Sequence, residues 1–290
     1  LVCPDTSSFI EQGKKQLLDF ERQELEDGLK PQKLQILYED QDLLVVNKPA
    51  GMVTHPSGSH YQDSISNLLA AYFREKNETT RIRSIGRLDK ETSGILLFAR
   101  NQVAAARLQK QREEGKLQKK YLALAEGDLS EANLSEANDS VFWKEIAIPL
   151  APDPENSMKM TISPDGLLPG SRNAVTYYKN IKSFGNVTLV ELQLETGRTH
   201  QIRVHMAGIG HPLLGDTMYN PEMCLKMSDS KEKKNTEGRI NNRNNCFKRA
   251  ALHAWKLTFC HPFTDEIITL EAPLPDDFCR FLNANEEEKT

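Results

Sequence analysis

The sequence predicts an α+β fold, a mainly antiparallel mixed sheet flanked by helices and loops. Three observations carry that expectation. Short apolar runs bounded by turn residues recur along the chain, helical periods are few, and neighbouring strands are joined by short polar turns. No internal repeat is visible, so a solenoid is not the source of the pattern.

The elements follow in order. Residues 1–35 are polar with a helix-like Leu17, Leu18, Leu25 pattern and read as an N-terminal extension. Strands are expected near Ile36–Tyr38 and Leu43–Val46, then a helix near Ser64–Arg74 capped by Asp63 or Ser64. The five apolar residues Ile95 to Ala99 read as a strand buried on both faces. Asn101 suits the cap of a helix that stops at Gly115. A strand Tyr-Leu-Ala-Leu-Ala begins at Tyr121, and Phe142–Ile148 looks extended. Val175–Lys182 and Val187–Leu194 form a hairpin through Ser183-Phe184-Gly185-Asn186. Thr199 is the expected cap of a short helix carrying Ile202, Val204 and Met206. Residues 225–249 are polar, lack a period and read as a flexible insertion. A final hairpin pairs Ala251–Phe259 with Ile267–Leu270, and 283–290 read as a polar tail.

Composition narrows the class. At 290 residues the chain can bury a sizeable core in one large domain or two small ones. No apolar run approaches the roughly 18 to 20 residues that span a bilayer, and the first residues do not look like a secretory signal. Five cysteines without a Cys-x-x-Cys pair suggest reduced thiols and a cytoplasmic protein. The net charge is −4, but it is unevenly spread. Residues 1–45 hold ten acids and five bases, residues 261–290 eight acids and two bases. Between Arg81 and Lys120 there are eleven bases and four acids. A local positive surface recruits phosphates even on an acidic protein. Arg107, Lys110 and Arg112 belong to it, and each equally suits a solvated helix face.

The basic segment surrounds a Gly-bounded loop, Gly86-Arg87-Leu88-Asp89-Lys90-Glu91-Thr92-Ser93-Gly94, which runs into the apolar strand. A carboxylate five or six residues before a rigid buried strand can be held in place, as a catalytic group must be. Taken alone, the loop also fits an ordinary turn whose Asp bonds to nearby backbone.

Gly86 to Arg100 resembles the active-site motif of the RluA-type pseudouridine synthases, which isomerise uridine in RNA. Four further blocks resemble the same family in the same order. They are Leu43 to Pro56, Lys120 to Gly127, Leu194 to Met206, and the C-terminal pair Ala251-Leu252-His253-Ala254-Trp255 with His261-Pro262-Phe263-Thr264. The resemblance covers residues 36–282 and implies a single catalytic domain there. Many relatives carry an S4 RNA-binding domain upstream, for which residues 1–35 are too few.

What the resemblance implies can be stated residue by residue. Asp89 is the nucleophile, Arg198 the cation that keeps it ionised, and Tyr121 the aromatic that stacks on the base and relays a proton. Arg87 is the arginine that fills the gap left by a flipped base. The commonest motif has His before this Arg, where this chain has Gly86, which bears on substrate choice more than on activity. RNA, ribosomal or transfer, is the implied partner of a monomeric enzyme, with Arg107 and Lys110 as further RNA contacts. No cofactor is implied, because the reaction neither loses a group nor changes oxidation state.

The residues argue against three other readings. A non-catalytic RNA-binding module would be expected to lose Asp89, Arg198 or Tyr121, and all three are present. An Asp-nucleophile glycosidase needs a second carboxylate about 5 Å away, and only Glu91 is near in sequence. Cys246, His253, Cys260 and His261 do not have the short spacings of a zinc site. His253 and Cys260 would be more than roughly 20 Å apart on one strand. His200 and His205 read as structural hydrogen-bonding groups rather than bases.

Overall fold

The computed structural model describes residues 34–56, 64–79, 81–129, 143–220 and 247–286. The N-terminal helix pattern, Asp63, most of the 225–249 insertion and the last four residues lie outside them. The described residues fall into two compact units. Residues 34–120 with His253–Pro275 form the first, and Tyr121–Leu252 with the chain from Asp276 onward form the second.

The first unit is built around a buried strand. Strands β1 (Gln35–Glu39) and β2 (Leu43–Lys48) precede helix α1 (Ile65–Glu75), the short β3 (Arg83–Ser84) and β4 (Ser93–Ala99). Every residue of β4 is buried, as its unbroken apolar run requires. On one side β2 pairs with it antiparallel, from Leu43 opposite Ala99 to Lys48 opposite Gly94. On the other side β3 covers its C-terminal end, and β11 (Leu252–Cys260) runs parallel to its start, His253 opposite Ser93. That parallel pair makes the sheet mixed, since β1 with β2, β2 and β3 with β4, and β11 with its C-terminal neighbour all pair antiparallel. Leu43, Val45, Ile95, Leu97, Leu257 and Phe259 pack together as its core. Full burial of each such side chain contributes about 1.5–3 kcal/mol.

Two helices brace this sheet. Ser64 caps α1 in a reciprocal capping box with Asn67, and Ile65, Leu69 and Phe73 are its buried stripe. Helix α2 (Gln102–Glu113) is capped by the Asn101 side chain, which accepts from Ala104 N at 2.8 Å. It ends before Gly115, whose φ of +69° favours glycine. The Gln111 side chain ties α2 to β11, donating to Cys260 O at 2.8 Å and accepting from Cys260 N at 3.0 Å. The unit closes with β12 (Ile267–Glu271), paired antiparallel with β11.

The second unit takes most of β5 (Gln118–Glu126), then β6 (Lys144–Ala147), the small hairpin β7 (Leu150–Pro152) and β8 (Met160–Ile162), β9 (Val175–Ser183), β10 (Val187–Leu194) and α3 (Gln201–Gly208). Its sheet order is β5-β10-β9-β6. The β9–β10 hairpin turns where the sequence places it, with Phe184 N donating to Val187 O at 2.7 Å.

Two elements differ from the sequence-based expectation. Helix α4 (Asp276–Glu286) runs into the segment read as a polar tail. Phe278, Phe281 and Leu282 are buried on it, and the Arg249 guanidinium grips the Asp277 carboxylate through two bonds of 2.7 and 2.9 Å. Thr199 does not cap α3. The cap position is His200, in the left-handed region at φ +55° with no capping side chain. Among the described residues no helix is long and apolar enough to cross a membrane, and Cys260 and Cys279 carry free thiols.

Candidate active site

Asp89 stands on the loop between β3 and β4, its side chain 18 % accessible. The backbone on either side of it is fixed by contacts from the β2 turn. Before it, the buried Thr54 hydroxyl donates to Leu88 O at 2.9 Å and accepts from Leu88 N at 3.2 Å. After it, Lys90 O accepts from Gly51 N at 2.8 Å and from Lys48 Nζ at 3.2 Å. Thr92 N closes the turn onto Asp89 O at 3.1 Å.

Lys48 is the centre of this clamp. It is fully buried, and its ammonium also donates to Pro49 O at 2.9 Å and Met52 O at 2.8 Å. Three backbone carbonyls offset the cost of burying the charge, so the lysine staples two loops together. The loop's downstream end is anchored at Ser93, whose hydroxyl shares a hydrogen bond of 2.9 Å with buried His253. One residue later Gly94, at φ +111°, lets the β11 backbone approach. A Cβ there would lie 2.1 Å from Ala254 O. Only glycine fits.

Arg87 projects outward, 68 % exposed, with Nη2 at 4.0 Å from Asp89 Oδ1. That is a loose contact that solvent screens strongly, so the guanidinium is available to a ligand. Behind it His55 hydrogen-bonds Ser66 through Nδ1 at 2.9 Å and Ser84 through Nε2 at 2.7 Å. Burial, and then the Arg87 charge, hold His55 below the ordinary imidazole range.

Tyr121 and Arg198 belong to the second unit. Tyr121 is buried on β5. Arg198 lies in the loop between β10 and α3, half-buried, with Nε donating to Asn173 O at 3.0 Å. Buried Gln201 shapes that loop. Its Oε1 accepts from Arg198 N and from the Thr196 hydroxyl, both at 2.9 Å, and its Nε2 donates to Val175 O. His200 and His205 are occupied structurally, His200 with the Tyr219 hydroxyl and His205 between Thr176 Oγ1 and Ile148 O. Arg203 makes a buried two-bond pair with Asp216 at 2.7 Å.

The two other basic candidates are engaged. Arg107 donates to Pro262 O at 2.5 Å and sits 4.8 Å from the Phe263 ring centroid. Lys110 pairs with Glu114 at 3.7 Å. Among the described residues, Asp40, Asp42 and His261 bring potential metal ligands within 4.8 Å of one another. Asp40 instead accepts from the Tyr38 hydroxyl, from the backbone of Asp42 and Leu43, and pairs with His261. These contacts make the cluster a brace between the β1–β2 and β11–β12 turns. The roles of Lys48, Thr54 and Gln201 were not foreseen. A lysine closing the apolar run Leu-Leu-Val-Val was the available signal, since a charge at the end of a buried strand needs partners.

An acid thus stands on a loop pinned at both flanks, beside an exposed arginine and on a mixed α+β sheet. A family model described as RNA pseudouridylate synthase matches residues 42–208. The chain is 38% identical over 247 residues to the uncharacterized RNA pseudouridine synthase YhcT of Bacillus subtilis, covering 84% of this chain and 70% of the relative. It is 36% identical over 251 residues to ribosomal large subunit pseudouridine synthase D of Pasteurella multocida, covering 87% and 70%. Among solved structures, human RNA pseudouridylate synthase domain containing 4 superposes with a TM-score of 0.65 at 25% identity, covering 87% of this chain and 93% of that one. The chain belongs to the RNA pseudouridine synthase family, isomerases that act on RNA.

Proposed function

We propose that this enzyme isomerises specific uridines of large-subunit ribosomal RNA to pseudouridine, with Asp89 as nucleophile and the target base flipped out of its stack. The observation that carries the reading is the clamped Asp89 loop, where Thr54 and Lys48 fix the backbone on either side of one accessible carboxylate. Ribosomal RNA is chosen because several relatives are named ribosomal large subunit pseudouridine synthase D. The catalytic unit proposed for this chemistry is residues 36–282.

The reaction breaks the N1–C1′ bond, turns the base and joins C5 to C1′. The Asp89 carboxylate attacks C1′ or C6, which splits one difficult displacement into two easier steps. When C5 has bonded to C1′, the C5 proton leaves, N1 takes up a proton, and Asp89 is released unchanged. The net change is an isomerisation, so no oxidant, reductant or group carrier enters.

The remaining roles follow the motif. Arg198 supplies the positive charge that favours the ionised carboxylate, as a guanidinium does well because it stays charged and binds in a fork. Tyr121 offers its ring to the extruded base and its hydroxyl to the proton relay. Extruding a stacked base costs about a few kcal/mol. Arg87, flat, cationic and exposed, takes the vacated place in the stack. Arg107 and Lys110 add to the positive surface rather than to base recognition, since each already has a protein partner.

The test is to incubate the purified protein with unmodified transcripts of large-subunit ribosomal RNA and of transfer RNAs, then map pseudouridine at nucleotide resolution. Discrete sites in the ribosomal transcript are the expected result. Sites confined to transfer RNA would move the substrate assignment, and no sites in any transcript would overturn it.

A further inference from the structure

The catalytic reading leaves Arg112 of the basic segment without a task. On and just beyond α2, Lys110 and Lys116 both pair with Glu114, at 3.7 and 2.8 Å, and Arg107 is held by Pro262 and Phe263. Arg112, on the last turn of the same helix, is exposed. Among the described residues no carboxylate pairs with it. Its guanidinium lies over the catalytic loop: a Cβ built on Gly86 would meet Arg112 Nη1 at 3.9 Å and Cζ at 4.0 Å and, its two chain neighbours apart, no other residue within 4 Å. Gly86 is three residues before Asp89, adjoins Arg87, and has φ +85°, a conformation that side chains rarely adopt.

The surroundings are cationic as well. At the start of β5, burial first and then the Arg112 charge push the Lys119 pKa down to about 8. An exposed guanidinium beside a bare glycine backbone favours an anion that its planar fork can grip, and phosphate is the anion of RNA.

We propose that Arg112 is a phosphate contact, gripping the RNA backbone beside the nucleotide presented to Asp89, and that the missing side chain at Gly86 leaves its guanidinium open to the strand. The inference rests on the Asp89 loop being where RNA docks. It differs from the competing structural role, in which Arg112 merely complements the carboxyl end of the α2 dipole. A dipole partner affects stability slightly and RNA not at all.

The experiment is equilibrium binding of an unmodified large-subunit ribosomal RNA transcript at several salt concentrations, for the wild type, Arg112→Gln, Arg112→Lys and Lys110→Gln. Arg112→Gln is expected to bind several-fold more weakly. The slope of log affinity against log salt should become shallower by about one, the signature of one lost phosphate contact. Arg112→Lys should keep most of the slope, and Lys110→Gln should change it less because Glu114 already meets that charge. Unchanged affinity and slope in Arg112→Gln, or an equal effect from Lys110→Gln, would overturn the assignment. Binding is read apart from chemistry. Loss of the Arg112 effect with pseudouridine formation intact in the wild type sinks this inference alone. An intact Arg112 effect without product in the wild type supports it while the catalytic reading fails.

Discussion

Thr54 and Leu88 exchange two hydrogen bonds through one hydroxyl, which donates to Leu88 O at 2.9 Å and accepts from Leu88 N at 3.2 Å. Leu88 immediately precedes Asp89, so a side chain 34 positions upstream sets where the carboxylate sits. Thr54→Val keeps the shape but leaves a buried N–H and C=O unpaired, at a cost of about 1–3 kcal/mol. Turnover should fall by up to about a hundredfold, since small misplacements of a reacting group are that costly. Thr54→Ser keeps the hydroxyl and should retain most activity. Steady-state kinetics with urea unfolding of both variants checks this, and equal activity in Thr54→Val would show that the clamp does not position Asp89.

Lys48 is fully buried and donates to Pro49 O, Met52 O and Lys90 O. Lys48→Met matches its length and removes every donor. We expect a loss of about 2–4 kcal/mol, within the range of a broken buried polar network. Urea midpoints with unchanged m-values provide the measurement. A variant as stable as the wild type would mean that the three carbonyls find other partners.

Gly94 should tolerate no side chain. Its φ of +111° and the 2.1 Å approach of Ala254 O to any Cβ would force β4 and β11 apart where His253 meets Ser93. Gly94→Ala is expected to cost more than about 3 kcal/mol or to prevent folding. By contrast nothing lies within 4 Å of a Cβ on Gly115, where alanine meets only the backbone penalty of about 1–2 kcal/mol. Thermal unfolding of the two variants side by side makes the comparison.

His55 reports on Arg87. Burial and the Arg87 charge lower its pKa, so the folded protein binds fewer protons there than the unfolded chain. Its contribution to stability is complete above the ordinary value of about 6.5 and is lost as pH falls from there through the folded value. Arg87→Gln removes the second cause and leaves the first. The His55 pKa should therefore rise in that variant yet stay below the ordinary value, as NMR titration of the imidazole would show. No change would mean that Arg87 does not face His55 in solution.

Much of this was legible in the sequence because local chemistry decides it. The run Ile95 to Ala99 became a wholly buried strand, and Asn101 and Ser64 became caps. Ser183 to Asn186 turned a hairpin because short polar turns between apolar runs leave little choice. What was not legible depends on partners distant in the chain. Thr199 looked like a cap, but Gln201 organises that loop through Val175 and Thr196, which no local pattern reveals. Helix α4 is short and flanked by acids, and its apolar stripe makes sense only against Phe247 and Phe184. In the site, Asp89 and Arg87 stood out as a motif, whereas the lysine and threonine that hold the loop did not. A residue that hydrogen-bonds backbone far along the chain leaves no spacing signature.

The most direct test concerns Asp89 itself. Asn matches the carboxylate in shape but is a poor nucleophile, so Asp89→Asn should fold and bind RNA as the wild type does. Single-turnover reaction of this variant with the unmodified large-subunit ribosomal transcript, with pseudouridine counted at each site, is the measurement. The expected result is no product above background under conditions where the wild type reacts to completion. Turnover above roughly one per cent of wild type, after excluding reversion to Asp by mass spectrometry, would make Asp89 an accessory group and contradict its assignment as the nucleophile.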